Sequence, residues 1–196
     1  VSHGNSKVVE VTKFIPELGL DLDLPECHQK TLTDTNYVFT CNQIPHDYYY
    51  TTNNVAYRCA GFKFIPKDGG EIITGTDAVF TFKPSEMGEG ELQWQFEKVG
   101  YRSNVKPLPV YLNDKAELTV TPDNADNHIF DCYYKEGTVL TVAIADKESG
   151  AFNRWHGDYA LTLADPTVKT VTYTVNASEN PVLLADVCGV VNYDTD

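Results

Sequence analysis

The stretch that decides the fold is Gly90-Glu-Leu-Gln-Trp-Gln-Phe-Glu97. Leu92, Trp94 and Phe96 alternate with Glu91, Gln93, Gln95 and Glu97. Side chains of an extended chain point to opposite faces at every step, whereas a helix returns to one face every three or four residues. The spacing therefore predicts a strand with an apolar, buried face and a polar, wet one.

The same period of two recurs along the chain. Leu18, Leu20, Leu22 and Leu24 alternate with Gly19, Asp21 and Asp23. Ala78, Phe80 and Phe82 alternate with polar or β-branched residues, as do Ala116, Leu118 and Val120. Each run is expected to bury one face. Val168–Val175 is rich in Thr, Val and Tyr, the residues that fit a pleated surface. Turn formers separate the runs: Lys67-Asp-Gly-Gly70, Glu86-Met-Gly-Glu-Gly90, Pro122-Asp-Asn-Ala-Asp126 and Ala164-Asp-Pro166. No run has a convincing helical period; Ser85–Glu91 and Asp146–Phe152 offer a single turn at most. The pattern predicts an all-β chain, an antiparallel β-sandwich of jelly-roll or immunoglobulin-like type. One domain over residues 1–196 is expected. The alternative is two small sandwiches, 1–103 and 108–196, divided at the proline-bearing stretch Ser103–Pro109.

Composition narrows the partners. The chain has 196 residues and a formal net charge of −13. Such a surface repels phosphate backbones, so nucleic acid is excluded as a partner, and anionic membranes are disfavoured likewise. No apolar run approaches the ~20 residues that a spanning helix needs.

Five cysteines, at 27, 41, 59, 132 and 188, are scattered through strand-like runs and form no zinc-ligand spacing. That distribution is expected of structural disulfides in a secreted, extracellular protein. Cys132–Cys188, with Trp155 between them, is the expected bridge, together with one bridge among Cys27, Cys41 and Cys59. The odd thiol points either to an inert buried cysteine or to a homodimer, disulfide-linked or non-covalent. Asn176-Ala-Ser178 is a glycosylation sequon, in keeping with secretion.

The chain carries no nucleophile elbow, zinc-protease helix motif or phosphate-cradling loop. Its outward row Glu91, Gln93, Gln95 and Glu97 reads as a solvated strand face before it reads as a substrate groove. Asp123, Asp126 and Asp131 lie in an oxygen-rich loop that suits calcium, although the same residues serve ordinary turns. Val1-Ser2-His3 could hold Cu(II) or Ni(II) through its nitrogens.

Aromatic residues carry the functional expectation. Tyr48, Tyr49 and Tyr50 are consecutive and cannot all face one core from one strand. Arg154, Trp155 and Tyr159 form a second cluster. Such loops stack on sugars or anchor protein interfaces. The function expected is a secreted, non-catalytic binding protein that recognises a carbohydrate or a protein surface. The alternative is a carrier of a small apolar ligand, a lipid or pigment, between sheets lined by Phe62, Phe64, Phe80, Phe82, Trp94 and Phe96.

Overall fold

The computed structural model describes residues 8–24, 28–41, 49–108, 116–147, 150–176 and 180–189, without the side chains of 107–108, 150–151 and 188–189. The described chain is all-β, built from several separate sheets, as a β-sandwich is. No helix among the described residues is long and apolar enough to cross a membrane. The chain divides into two compact units: the N-terminal unit takes 1–52 and 56–98, and the C-terminal unit takes 99–196 together with Asn53–Val55.

The N-terminal unit holds β1 (Val9–Ile15), β2 (Gly19–Asp21), β3 (Gln29–Thr33), β4 (Asn36–Thr40), β5 (Tyr49–Thr52), β6 (Val55–Pro66), β7 (Ile73–Gly75), β8 (Val79–Phe82) and most of β9 (Gly90–Arg102). Strand β9 contains the stretch that opened the reading, and from Gly90 to Glu97 its burial alternates residue by residue as the period of two requires. Strand β1 lies beside it, then β2 at the edge, while β6 joins β9 to β5 and β7. A second sheet runs β3-β4-β8.

Most ladders are antiparallel, but β1 pairs with β9 in parallel, from Val9↔Gly90 to Phe14↔Gln95. A parallel pair needs a long crossover. Here β2 to β8 intervene between the two strands.

Tight turns follow the residues that tolerate positive φ. Asn53 and Asn54 have φ of 49° and 64° and join β5 to β6 as a two-residue turn, the primed geometry that matches strand twist. Asp34, at φ 50°, turns β3 into β4.

The core of this unit is aromatic. Phe39, Phe64, Phe80, Phe82, Trp94 and Phe96 are buried, and Phe62 is half-buried. Ring centroids stand 4.9 Å apart for Phe64–Phe80 and 5.0 Å for Phe62–Phe80. The Nε1–H of Trp94 donates to Nδ1 of His28 at 3.1 Å, so His28 carries its proton on Nε2. Burial first, and the Lys30 charge second, hold the His28 imidazolium below its ordinary range.

Below pH ~6.5 the unfolded chain takes up a proton that folded His28 resists, so acidification costs stability. We expect melting temperature to be level above pH 7 and to fall below pH ~6.5, with a shallower fall in His28→Asn, whose amide oxygen still accepts from Trp94. Thermal melts across this range check the slope; identical slopes in the two proteins would remove His28 from the account.

The C-terminal unit holds β10 (Val105–Leu108), β11 (Ala116–Pro122), β12 (His128–Phe130), β13 (Tyr133–Tyr134), β14 (Val139–Asp146), β15 (Gly150–His156), β16 (Thr170–Thr174) and β17 (Leu183–Gly189). Its sheets run β10-β17-β15 and β11-β14-β16, with β10 parallel to β17. The buried cluster gathers Trp155, Leu140, Val142, Tyr173, Leu183 and Ala185. Short 3-10 turns lie at Ala125–Asn127 and Asp158–Thr162, outside the segments read as holding a helical turn.

Two expectations are corrected. Leu18, Leu20 and Leu22 do not bury a face: they are 51%, 57% and 80% exposed. The alternation is real, but β2 is three residues long and has no layer over that side. The described cysteines Cys41, Cys59 and Cys132 are thiols, not half-cystines. The side chain of Cys188 lies outside the described residues, and with it the Cys132–Cys188 bridge; Cys27 lies outside them too.

Candidate functional site

Of the side chains assigned to ligand binding, Tyr49 and Tyr50 belong to the N-terminal unit, and Arg154, Trp155 and Tyr159 to the C-terminal unit. Trp155 is fully buried on β15, where its Nε1–H donates to the carbonyl of Val168 at 2.8 Å. It is a core residue, and the expectation of a ligand-facing ring is corrected. Its neighbour Arg154 points outward by the pleat and is exposed.

Tyr159 is half-buried, its ring centroid 4.5 Å from that of Tyr173, and its hydroxyl accepts from the Thr174 N–H at 3.0 Å. It lines a cleft of about 270 Å³ with Asp158, Thr162, Thr174, Asn176 and Pro181. Asn176 is exposed there, although Ala177 and Ser178 of the sequon lie outside the described residues.

Tyr50 is half-buried on β5, packed against Tyr57 and Phe96 with centroids 6.5 and 6.2 Å away. Tyr49 is also half-buried; Tyr48 lies outside the described residues, as does His3.

The oxygen-rich loop serves the backbone. Asp123 Oδ1 accepts from Asn124 N–H and from Asn127 Nδ2–H. Asn124 caps the 3-10 turn by accepting from Asp126 N–H at 3.0 Å. Asp131 sits at φ 44°, and its carbonyl meets His128 Nε2 at 2.7 Å. Asp123, Asp126 and Asp131 do not converge, and no group of three such ligands is placed for a metal among the described residues. The calcium expectation is corrected on that geometry: Asp123 spends its carboxylate on the turn, and the three residues form no cage of converging oxygens.

The structure assembles a different surface, on the outer face of the N-terminal sheet. Register places Phe14 of β1 between Leu20 of β2 and Gln95 of β9. Partners in register share a face, so Phe14 and Leu20 stand on the same side as the polar row of β9. That row is tied together: Glu91 Oε1 accepts from Gln93 Nε2 and from Thr12 Oγ1, both at 3.1 Å. Farther along, Glu97 pairs with Arg58 at 2.6 Å. The centre of the face is thus polar and self-satisfied, and its margin is apolar. Phe14 and Leu20 make that margin, and Leu18 and Leu22, which flank β2 in the chain, are exposed as well.

The opposite side of the same hairpin is anchored. Lys13 points inward, is 3% exposed, and reaches Asp21 at 3.2 Å and the Tyr50 ring at 4.2 Å. The Asp21 carboxyl is held below its usual range, first by accepting from the Asp23 N–H and then by Lys13. A lysine this buried needs its partner more than a surface lysine does. Asp21→Asn is therefore expected to cost about 1–2 kcal/mol, reduced from the fully buried case because Asp21 faces water. Urea unfolding checks it, with Lys13→Met as the companion: an apolar replacement removes the unpaired charge and should recover much of the loss.

Phe14 is the surface residue that sequence reading missed. Its one signal was its place on a strand beside Pro16, and nothing local says which side of β1 is covered. Comparison of the chain with protein-family models, with curated proteins and with solved structures finds no match.

Proposed function

We propose that this chain is a secreted, non-catalytic binding protein that recognises a protein surface through the apolar edge of its N-terminal sheet. The observation that carries the reading is the exposed row Phe14, Leu18, Leu20 and Leu22 on the hairpin of β1 and β2. Large apolar side chains left in water on one patch mark interaction sites more often than scattered ones do. Among the described residues β2 pairs with β1 alone, which leaves its outer backbone groups open to a further strand.

The partner this fits is an extended segment that adds a strand to β2, seats apolar side chains on the leucines and carries basic residues at its flanks. Glu17, Asp21 and Asp23 border the row, and the chain's charge of −13 steers in the same direction. Secretion is supported by the sequon at Asn176. A carbohydrate reading through the tyrosines draws less support, because Trp155 is spent in the core and Tyr50 under Lys13. The close ring packing around Phe80 likewise favours the binding reading over an apolar carrier.

The test uses synthetic extended peptides of alternating apolar residues with lysine at both ends, against the same cores flanked by glutamate. Lysine-flanked peptides should bind by fluorescence polarisation and slow amide exchange in residues 18–22. Leu20→Lys with Leu22→Lys should weaken binding at least tenfold while leaving stability within about 0.5 kcal/mol. Binding indifferent to those leucines, or a glycan-array signal lost in Tyr49→Ala, would overturn the reading.

A further inference from the structure

Two thiols of the N-terminal unit meet. Cys41 follows β4, in the β3-β4-β8 sheet, and its N–H donates to the Ala78 carbonyl at 2.9 Å. It is fully buried. Cys59 lies on β6, in the other sheet, and its thiol lies 3.5 Å from the Gly61 carbonyl. The two thiols are in hydrogen-bonding contact.

Access to them is unequal. Cys59 is half-buried and lines an open cleft of about 440 Å³, whose walls include Arg58, Thr76, Asp77 and Glu97. Cys41 lies behind it, sealed from water. An outer thiol that a reagent can reach, backed by an inner thiol that can resolve the product, is the arrangement a dithiol needs.

We propose that Cys41 and Cys59 are a redox pair, in which thiol–disulfide exchange at Cys59 forms a bond that staples the two sheets of the N-terminal unit. The oxidant is a small disulfide, RSSR. The Cys59 thiolate attacks one sulfur of RSSR, forming a mixed disulfide and expelling RS⁻. The Cys41 thiol gives up its proton, and its sulfur attacks Cys59 Sγ and expels the second RS⁻. Both RS⁻ take up the protons that the two cysteines released. The sum is two protein thiols and RSSR giving one protein disulfide and two RSH; excess RSH reverses it.

The contact also favours the nucleophile: hydrogen bonding from Cys41 draws the Cys59 thiol below its usual range, against the opposing effect of burial. Closing the bond constrains the unfolded chain between the two cysteines, which raises the folded unit's melting point. This inference is independent of any partner at the β1–β2 edge.

The experiment takes the fully reduced chain, incubates it with oxidised glutathione, quenches with an alkylating agent and maps peptides without reduction. The expected product is a Cys41–Cys59 linked peptide, a mass loss of two hydrogens, and a melting temperature raised by roughly 5–10 °C. Cys41→Ser should instead leave a stable glutathione adduct on Cys59. Should that variant fail to fold, the wild-type map decides the matter alone. Linkage of either cysteine to Cys27, Cys132 or Cys188, or both thiols alkylated after exposure to oxidised glutathione, would overturn the proposal.

Discussion

Trp155→Ala is expected to destabilise the C-terminal unit by about 3–5 kcal/mol. The side chain is fully buried between β15 and the strands that carry Leu140, Val142 and Tyr173. Truncation removes its apolar burial and leaves a large void that the surrounding strands cannot wholly collapse into. It also strands the Val168 carbonyl, which accepts from the indole at 2.8 Å. Trp155→Phe separates the two effects: it keeps most of the ring but loses the donor, and should cost about half as much or less. Urea unfolding followed by circular dichroism measures both. Only two tryptophans are present, so in either variant the remaining fluorescence belongs to Trp94 and reports the N-terminal unit by itself. A loss under 1 kcal/mol for the alanine variant would show that Trp155 is not a core anchor.

The second large effect is expected at Gly61, where β6 passes β7. Its φ of 145° is one that side-chain-bearing residues rarely adopt, and an added Cβ would lie 2.1 Å from the Gly75 carbonyl oxygen. That atom is backbone, so it cannot swing aside as a side chain could. Gly61→Ala should therefore cost about 2–4 kcal/mol, combining local strain with a forced parting of the two strands. Gly69 makes the control. It also has positive φ, 79°, but an added Cβ there meets nothing within 4 Å. Gly69→Ala should carry the strain alone, about 1 kcal/mol. Equal losses at the two sites would mean that the close approach of Gly61 to β7 is not what matters.

What the residues disclosed on their own divides by range. The alternation in Glu91–Glu97 specified β9 and its inward face, because side-chain direction along a strand depends only on neighbouring residues. The turns were legible for the same reason: Asp68 and Asp165 each accept from an N–H two residues on, a bond that local sequence suffices to write. The same rule failed at Leu18–Leu22, where alternation gave the two faces of β2 but not which of them another layer would cover.

The site was less legible than the fold. Arg154, Trp155 and Tyr159 looked like one aromatic cluster, yet the pleat sends Arg154 outward and Trp155 into the core. A run of tyrosines or tryptophans is rich in binding residues and in core residues alike, so type could not separate the two. Asp123, Asp126 and Asp131 had the right atoms for calcium, but Asp123 spends its carboxylate on its own turn and the three do not converge.

Sequence by itself determined that this is an all-β chain and where its main strands and turns fall, since each depends on local geometry. Tertiary structure alone decided which faces are covered. It set Phe14 beside Leu20 and Gln95, brought Cys41 against Cys59, and hid Trp155. Those outcomes depend on which strands far apart in the chain become neighbours, and no period of two carries that information.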